Sequence, residues 1–143
     1  MQAEDRLIVA LDFPTGEQAK ALVRDLGPAV RFYKVGMELY YAAGNEIIKF
    51  LKDQGKQVFL DLKLQDIPNT VAGALKVLTA LGVDIINVHA VGGPKMLQAA
   101  RAAVTEQAAA LKIQAPRLIA VTILTSMDAA QFAVDVDIDI AAF

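Results

Sequence analysis

Short runs of apolar residues recur along the chain and alternate with longer stretches of helical period. Runs of four or five residues that are hydrophobic on both faces are typical of strands buried in a parallel sheet. The pattern predicts strands near residues 7–12, 31–36, 57–62, 84–89 and 117–122. A segment of helical period follows each of the first four runs, so strands and helices are expected to alternate.

Glycines mark the ends of the first three predicted helices. The first helix begins after Thr15 with a capping-box pattern, and Gly27, Gly55 and Gly82 each follow the last apolar position of a helix. A fourth helix is predicted from Pro94 to about Leu111. The regular spacing indicates a repeat of one strand and one helix, hence an α/β fold with a parallel sheet. A doubly wound sheet and a TIM barrel both remain open, although no Gly-x-Gly-x-x-Gly follows the first strand, which disfavours a dinucleotide-binding fold.

Composition excludes several classes of protein. The 143 residues include 14 basic and 16 acidic side chains, no cysteine and 55% apolar residues. A formal charge of -2 with both signs interspersed gives no basic field for nucleic acid, and without cysteine there are no disulfides or thiolate metal sites. The apolar runs are far shorter than the roughly 20 residues of a membrane-spanning helix. We therefore expect a cytoplasmic protein that binds neither nucleic acid nor membrane.

Ionisable residues lie at the predicted C-terminal ends of the strands. Side chains alternate between the two faces of a strand, so Asp61 and Lys63 share one face. The same parity places Asp12 and Lys34 at the ends of the first two strands. In parallel barrels this end carries the chemistry. Burying the acids and lysine of Asp61-x-Lys63-x-x-Asp66 is costly unless they pair, which favours a functional cluster.

Taken one at a time, these residues have simpler interpretations. Asp12 alone is as readily a helix cap or a surface acid, and Lys34 alone is more often a lysine that covers apolar surface. The only histidine, His89, is more often a core group, or one that supports a neighbouring residue, than a general base. Met37, Tyr40 and Tyr41 are expected to be packing residues. The clustering, rather than any single residue, favours a site.

Alternating carboxylates and ammonium groups have a chemical use. A carboxylate beside an anionic substrate group raises the energy of that group, and a neighbouring ammonium stabilises the negative charge that develops as the group leaves. The ammonium can then donate a proton to the resulting carbanion. Such a site needs no metal and no organic cofactor.

The segment at residues 59–71, FLDLKLQDIPNTV, resembles the signature of the orotidine 5′-phosphate decarboxylase family. Four more segments are similar to the other strand ends of that family and follow in the same order: VALDFP at 9–14, KVGME at 34–38, NVHA at 87–90 and VTILTS at 121–126. The related keto-gulonate-phosphate decarboxylases share Asp-x-Lys-x-x-Asp but lack the continuation Ile-Pro-x-x-Thr that residues 67–70 resemble.

The resemblance implies a TIM barrel that removes carbon dioxide from orotidine monophosphate to give UMP in pyrimidine biosynthesis. It implies that Lys63 donates a proton to a carbanion at C6 of the pyrimidine and that Asp61 crowds the substrate carboxylate, while Lys34 completes the charged array. It also implies a homodimer with shared active sites, in which Asp66 acts in the site of the other subunit. The implied substrate-binding residues are Asp12, Lys34, Asp61, Ile67, Thr70, Thr125 and Ser126.

The length departs from the family pattern. A complete barrel takes about 250 residues, so residues 1–143 are expected to form the N-terminal part of a single TIM-barrel domain. The phosphate-binding arginine and the closing loop of the family come later and are missing from this sequence. An incomplete record of a longer enzyme, a fragment and two copies that close a barrel-like core all remain open. We expect the chain by itself to be weakly active or inactive.

Two other functions remain as alternatives. One is a non-catalytic half-barrel that serves assembly or is complemented by a separate C-terminal piece. The other is a metal-dependent sugar-phosphate decarboxylase or aldolase with Asp61 and nearby acids as Mg²⁺ ligands, which the Lys63 ammonium among those acids disfavours. The alternating segment at 133–140 is interpreted as a loop that enters a fifth helix, with 140–143 as the first turn of that helix, although a strand is also open.

Overall fold

A computed structural model describes residues 7–128 and residue 130 of the chain. Five strands form one parallel sheet: β1 (Ile8–Ala10), β2 (Phe32–Gly36), β3 (Gln57–Leu64), β4 (Ile85–His89) and β5 (Arg117–Val121). Five α-helices connect them: α1 (Gly16–Leu26), α2 (Met37–Ala43), α3 (Asn45–Asp53), α4 (Pro68–Ala80) and α5 (Gly93–Leu111). The predicted loop and helix turn at 133–143 lie outside the described residues.

The order of the strands separates the two folds that the sequence left open. Each strand pairs in parallel with the one before it, so the order in the sheet is β1-β2-β3-β4-β5. A doubly wound sheet reverses its order at a switch point, whereas a TIM barrel keeps strands in chain order. The sheet therefore has the topology of consecutive TIM-barrel strands.

The predicted helix ends are confirmed. The Thr15 hydroxyl accepts a hydrogen bond from the backbone N–H of Gln18 at 3.4 Å and caps α1. Gly27 follows the last residue of α1 with a φ of 50°. A side chain at that φ would be strained, so glycine ends the helix at low cost.

One helix was not predicted. Helix α2 follows β2 without a loop and has a single buried residue, Leu39. Met37 is 46% exposed and Tyr41 is 75% exposed, so the prediction that they pack is wrong for these two, whereas Tyr40 is partly buried against the core. Tyr40 and Ala43 of α2 also pack against the core, but a helix of seven residues, most of them apolar, is too short to show a helical period.

The two faces of the sheet differ sharply in polarity. The face toward the helices carries fully buried side chains such as Tyr33, Val35 and Leu60. The opposite face, called the inner face below, alternates with it and carries Phe32, Lys34, Phe59, Asp61, Ile85 and Asn87. At the sheet edges it leaves Ile8 40% exposed and Ile119 36% exposed. Among the described residues, no helix is long and apolar enough to cross a membrane.

Candidate active site at the C-terminal strand ends

Two acid–lysine pairs lie at the C-terminal ends of the first three strands. On β3, the Nζ of Lys63 donates to Oδ1 of Asp61 at 2.7 Å, and both side chains are mostly buried. On β2, the Nζ of Lys34 donates to Oδ1 of Asp12 at 2.6 Å. The predicted proximity of Asp61 and Lys63 is confirmed, and Asp12 supplies the ion-pair partner of Lys34.

A break in the strand register shapes the end of β3. Leu60 pairs with Ile86 on β4, but the next pair joins Leu64 to Val88. Between these two pairs β3 advances by four residues and β4 by two. Because both counts are even, the faces are conserved across the bulge. Within it, Lys63 takes a φ of 52°, a left-handed conformation that is uncommon for a residue with a side chain.

Asn87 on β4 connects the two charged residues of β3. It is only 1% exposed. Its Nδ2 donates to Oδ1 of Asp61 at 2.6 Å, and its Oδ1 accepts from the backbone N–H of Lys63 at 2.7 Å. The sequence analysis assigned Asn87 no role of its own; the signal available was a polar residue between the apolar Ile86 and Val88.

Gly36 leaves room beside the Lys34 ammonium. It pairs with Asp61 across the β2–β3 ladder and follows Lys34 on the inner face. A Cβ at position 36 would lie 3.2 Å from the Nζ of Lys34 and 3.5 Å from Oδ1 of Asp12. The missing side chain therefore keeps open the space between the two acid–lysine pairs.

The Asp61 carboxylate is held in its charged form. Burial alone raises its pKa, but hydrogen bonds from Lys63 and Asn87, together with the positive charges of Lys63 and Lys34, outweigh burial and hold the pKa below its ordinary value. A negative charge is thus fixed beside the Lys63 ammonium at neutral pH.

Asp66 does not join this buried cluster. It lies beyond β3, is exposed, and accepts a hydrogen bond at 2.6 Å from the backbone N–H of Ile67, which precedes α4. The expectation that Asp61, Lys63 and Asp66 are buried together is therefore wrong for Asp66, because the chain has left the sheet at that residue. Ile67 is 66% exposed, and Thr70 is exposed in the first turn of α4.

Thr125 and Ser126 lie in the turn that follows β5, where both are exposed. The backbone N–H of Met127 donates to the carbonyl of Leu124 at 3.0 Å and closes this turn. The turn follows the C-terminal end of β5, the end at which the charged residues of β2 and β3 also lie.

The opposite end of the sheet contains a hollow of about 520 Å³ at the start of the strands. Its lining includes Asp84, whose Oδ2 accepts from the Nζ of Lys52 and from the backbone N–H of Val58, each at 2.8 Å. These bonds tie β4 to β3, which is a structural role, and this end of parallel barrels is associated with stability rather than catalysis. Over residues 7–128, no three acidic or histidine side chains are grouped to hold a metal ion.

Fold and site together define a parallel α/β protein of the TIM-barrel type that presents paired carboxylates and ammonium groups at the C-terminal ends of its strands. Comparison with known proteins identifies the family. The family model described as orotidine 5′-phosphate decarboxylase / HUMPS family matches residues 5–142. The chain belongs to this family.

Individual relatives agree with this assignment. The orotidine 5′-phosphate decarboxylase of Moorella thermoacetica is 55% identical over 128 residues, which cover 90% of this chain and 51% of that protein. A crystal structure of orotidine 5′-phosphate decarboxylase from Lactobacillus acidophilus matches with a TM-score of 0.80 at 42% identity over 92% of this chain and 58% of the other. An uncharacterized conserved protein from Geobacillus kaustophilus matches with a TM-score of 0.86 at 47% identity, over 92% and 60% of the two chains. The chain thus spans about half the length of the curated relative from Moorella.

Proposed function

We propose that this chain is part of an orotidine 5′-phosphate decarboxylase, which converts orotidine monophosphate to UMP and carbon dioxide. The observation that carries the proposal is the mostly buried ion pair of Asp61 and Lys63 at the C-terminal end of β3, 2.7 Å apart. Family membership and the names of close relatives support the choice of substrate.

The proposed reaction needs only fixed charges. Asp61 lies against the substrate carboxylate and raises its energy in the ground state. The bond from C6 of the pyrimidine to the carboxylate carbon breaks, carbon dioxide leaves, and the electron pair stays on C6. Lys63 stabilises this negative charge, donates its proton to C6, and regains a proton from water. No metal or organic cofactor takes part in these steps.

The other site residues are proposed to bind the substrate. Lys34 on β2 pairs with Asp12, which follows β1. These two residues, with Thr70, are proposed to contact ribose hydroxyls. Thr125 and Ser126 are proposed to contact the pyrimidine or its surroundings, and Ile67 to contribute an apolar surface. Exposure of Ile67, Thr70, Thr125 and Ser126 supports this role, because binding residues must be accessible before substrate arrives.

A homodimer with shared sites is proposed for the complete protein. Asp66 is exposed and lies outside the cluster of its own chain, as a residue that acts in a partner's site would. Large apolar side chains are also exposed near the same ends of β2, β3 and β4: Met37, Tyr41, Ile67 and Val91. Apolar surface of this kind is typical of protein contacts. The cytoplasm is the proposed compartment.

Replacing Lys63 tests the proposed reaction. In the full-length protein, Lys63→Ala is expected to lower kcat at least about 1000-fold, because the proton donor is lost. UMP formation is followed by chromatography. The control is Lys76→Ala, which removes a lysine that pairs with Glu106 at 3.5 Å on the helix layer and should leave kcat unchanged.

If Lys63→Ala retains turnover, Lys63 is not the proton donor. If the full-length parent is inactive, the proposed reaction is wrong. Activity that disappears on exhaustive chelation would instead favour the metal-dependent alternative.

Mixed subunits test the shared site. Lys63→Ala and Asp66→Asn are expected to be inactive as separate full-length dimers. In a mixed dimer, one site combines the intact Lys63 of one subunit with the intact Asp66 of the other. An equal mixture should therefore regain about a quarter of parent activity if subunits pair at random. A mixture that stays inactive after verified subunit exchange would contradict shared sites.

A further inference from the structure

We propose that Asn87 is the positioning residue of this site: its side-chain amide holds the backbone of Lys63 and the carboxylate of Asp61 in their reactive arrangement. The inference rests on the proposed function and deepens it, since it concerns how the same site is assembled. Asn87 reaches both residues from the adjacent strand, at 2.7 Å and 2.6 Å.

The first step of the argument is the backbone of Lys63. In a regular parallel ladder, strand N–H groups donate to carbonyls of the neighbouring strand. The register between β3 and β4 breaks between Leu60 and Leu64, so this ladder is interrupted at Lys63. The Oδ1 of Asn87 supplies the acceptor instead. A partly buried N–H left without an acceptor is costly, so the bond stabilises the bulge.

The second step is the conformation of Lys63. Its φ of 52° is unfavourable for a residue with a side chain and persists only where the surroundings enforce it. The bond to Asn87 is a contact that enforces it from outside β3. The direction in which the Lys63 side chain leaves the strand, and so the position of its ammonium, depends on that conformation.

The third step is the carboxylate. Oδ1 of Asp61 accepts from Nδ2 of Asn87 and from Nζ of Lys63. One amide orientation satisfies both contacts, because the carboxylate needs a donor and the Lys63 N–H needs an acceptor. Asn87 is 1% exposed and therefore has no surface to offer a substrate. It acts through Asp61 and Lys63 and is not itself catalytic.

Two substitutions separate the two halves of this role. Asn87→Leu keeps the branched shape and the number of side-chain heavy atoms and removes both hydrogen bonds. Asn87→Asp keeps an oxygen that accepts from the Lys63 N–H, but it loses the donor and places a second carboxylate against Asp61. The two variants should therefore differ in the hydrogen exchange of the Lys63 amide, whereas both should lower kcat.

The backbone is tested by amide hydrogen exchange on the 143-residue chain. In Asn87→Leu, exchange at Lys63 is expected to accelerate at least about tenfold, while Leu60 and Ile86, where the register is intact, change less than about threefold. In Asn87→Asp, protection at Lys63 should be retained. This measurement does not depend on activity, so it decides the positioning role even if the proposed reaction is wrong.

Catalysis is tested in the full-length protein. Both variants are expected to lower kcat about 100-fold with KM within about threefold of the parent, the pattern of a lost transition-state arrangement rather than lost binding. A merely structural role would leave the kcat of the folded protein unchanged.

The proposal is overturned if Asn87→Leu retains both Lys63 protection and kcat. If Asn87→Leu does not fold, Asn87→Asp decides: reduced kcat with retained protection supports the proposal, and unchanged kcat overturns it. A full-length parent without decarboxylase activity rejects the proposed function, and the exchange data then decide the positioning role alone.

Discussion

Asp61 is the residue at which the contacts of the site converge. One of its oxygens accepts hydrogen bonds from a charged donor on its own strand and from a neutral donor on the next strand. Charge-assisted bonds of this kind are stronger than neutral ones. They keep the pKa of Asp61 below its ordinary value despite burial, which favours the ionised carboxylate. The site therefore holds a negative charge next to the position proposed for the carboxylate of the substrate.

The lowered pKa predicts a dependence of stability on pH. A depressed folded-state pKa means that the unfolded state binds more protons, so the contribution of Asp61 is present above the ordinary pKa of 3.8 and is lost as pH falls below it. In Asp61→Asn, the free energy of unfolding should therefore fall less steeply as pH decreases in that acid range. Its slope should differ from that of the parent by at most about 1.4 kcal/mol per pH unit. Urea unfolding followed by circular dichroism at several pH values measures it.

Thr79→Val is the control for this series. It removes a buried hydroxyl that has no hydrogen-bond partner within the described part of the chain, and it should shift the whole curve without changing its slope. Equal slopes for the parent and Asp61→Asn would contradict the assigned cause.

At the scale of secondary structure, β3 is anchored by side-chain contacts at its start as well as at its end. Lys56, just before the strand, is 9% exposed, and its Nζ donates to the carbonyls of Gly27 at 2.6 Å and Val30 at 2.8 Å. The ammonium also lies 5.9 Å from the centre of the Tyr33 ring. This lysine ties the connection between α1 and β2 to β3, so the strand that carries Asp61 and Lys63 is anchored at both ends.

Loss of this anchor should destabilise the fold. Lys56→Met keeps the apolar stem and removes the ammonium, which leaves two carbonyls without their charged donor; we expect a cost of about 2 kcal/mol in the free energy of unfolding. The matched control, Lys49→Met, removes an exposed lysine that pairs with Asp53 at 2.6 Å along α3. It should cost less than about 0.5 kcal/mol. Similar effects of the two substitutions in urea unfolding would contradict the anchoring role of Lys56.

At the scale of the whole sheet, β1 and β5 are the outermost strands, and neither has a further neighbour among the described residues. The inner face carries the charged pairs, and exposed Ile8 and Ile119 lie on its two outermost strands. In a closed barrel of about eight strands this face is filled by side chains from all of them. The chain spans about half the length of the curated relative from Moorella, and we expect the rest of such a protein to cover this face.

We therefore expect the 143-residue chain alone to show little or no decarboxylation. Adding the C-terminal half of the Moorella relative, produced as a separate polypeptide, should restore UMP formation, because 55% identity leaves most of the contacting surfaces alike. The same piece mixed with a Lys63→Ala chain is the control and should stay inactive. A rate near that of a full-length relative from the unmixed chain would contradict this expectation, and failure of a folded mixture to react would favour a non-catalytic half-barrel.

Much of the fold was determined by sequence alone. Short apolar runs are typical of strands in a parallel sheet and located all five strands, although β1 and β5 contain no fully buried residue. Glycine at a positive φ is favoured at the ends of helices, which located the ends of α1 and α4. Alternation along β3 placed Asp61 and Lys63 on one face. Helix α2 was not predicted because its seven residues, most of them apolar, are too few to show a helical period.

Tertiary structure alone decided how the site is assembled. The bulge at Lys63, the exposure of Asp66 and the choice of Asp12 as the partner of Lys34 leave no periodic mark in the sequence. Asn87 contacts residues 24 and 26 positions away, which only the register between β3 and β4 brings within reach. Periodicity determines the face on which a side chain lies, whereas register determines its neighbour across the sheet. The sequence therefore determined which residues carry charge on the inner face, and the pairing of strands decided which of them touch.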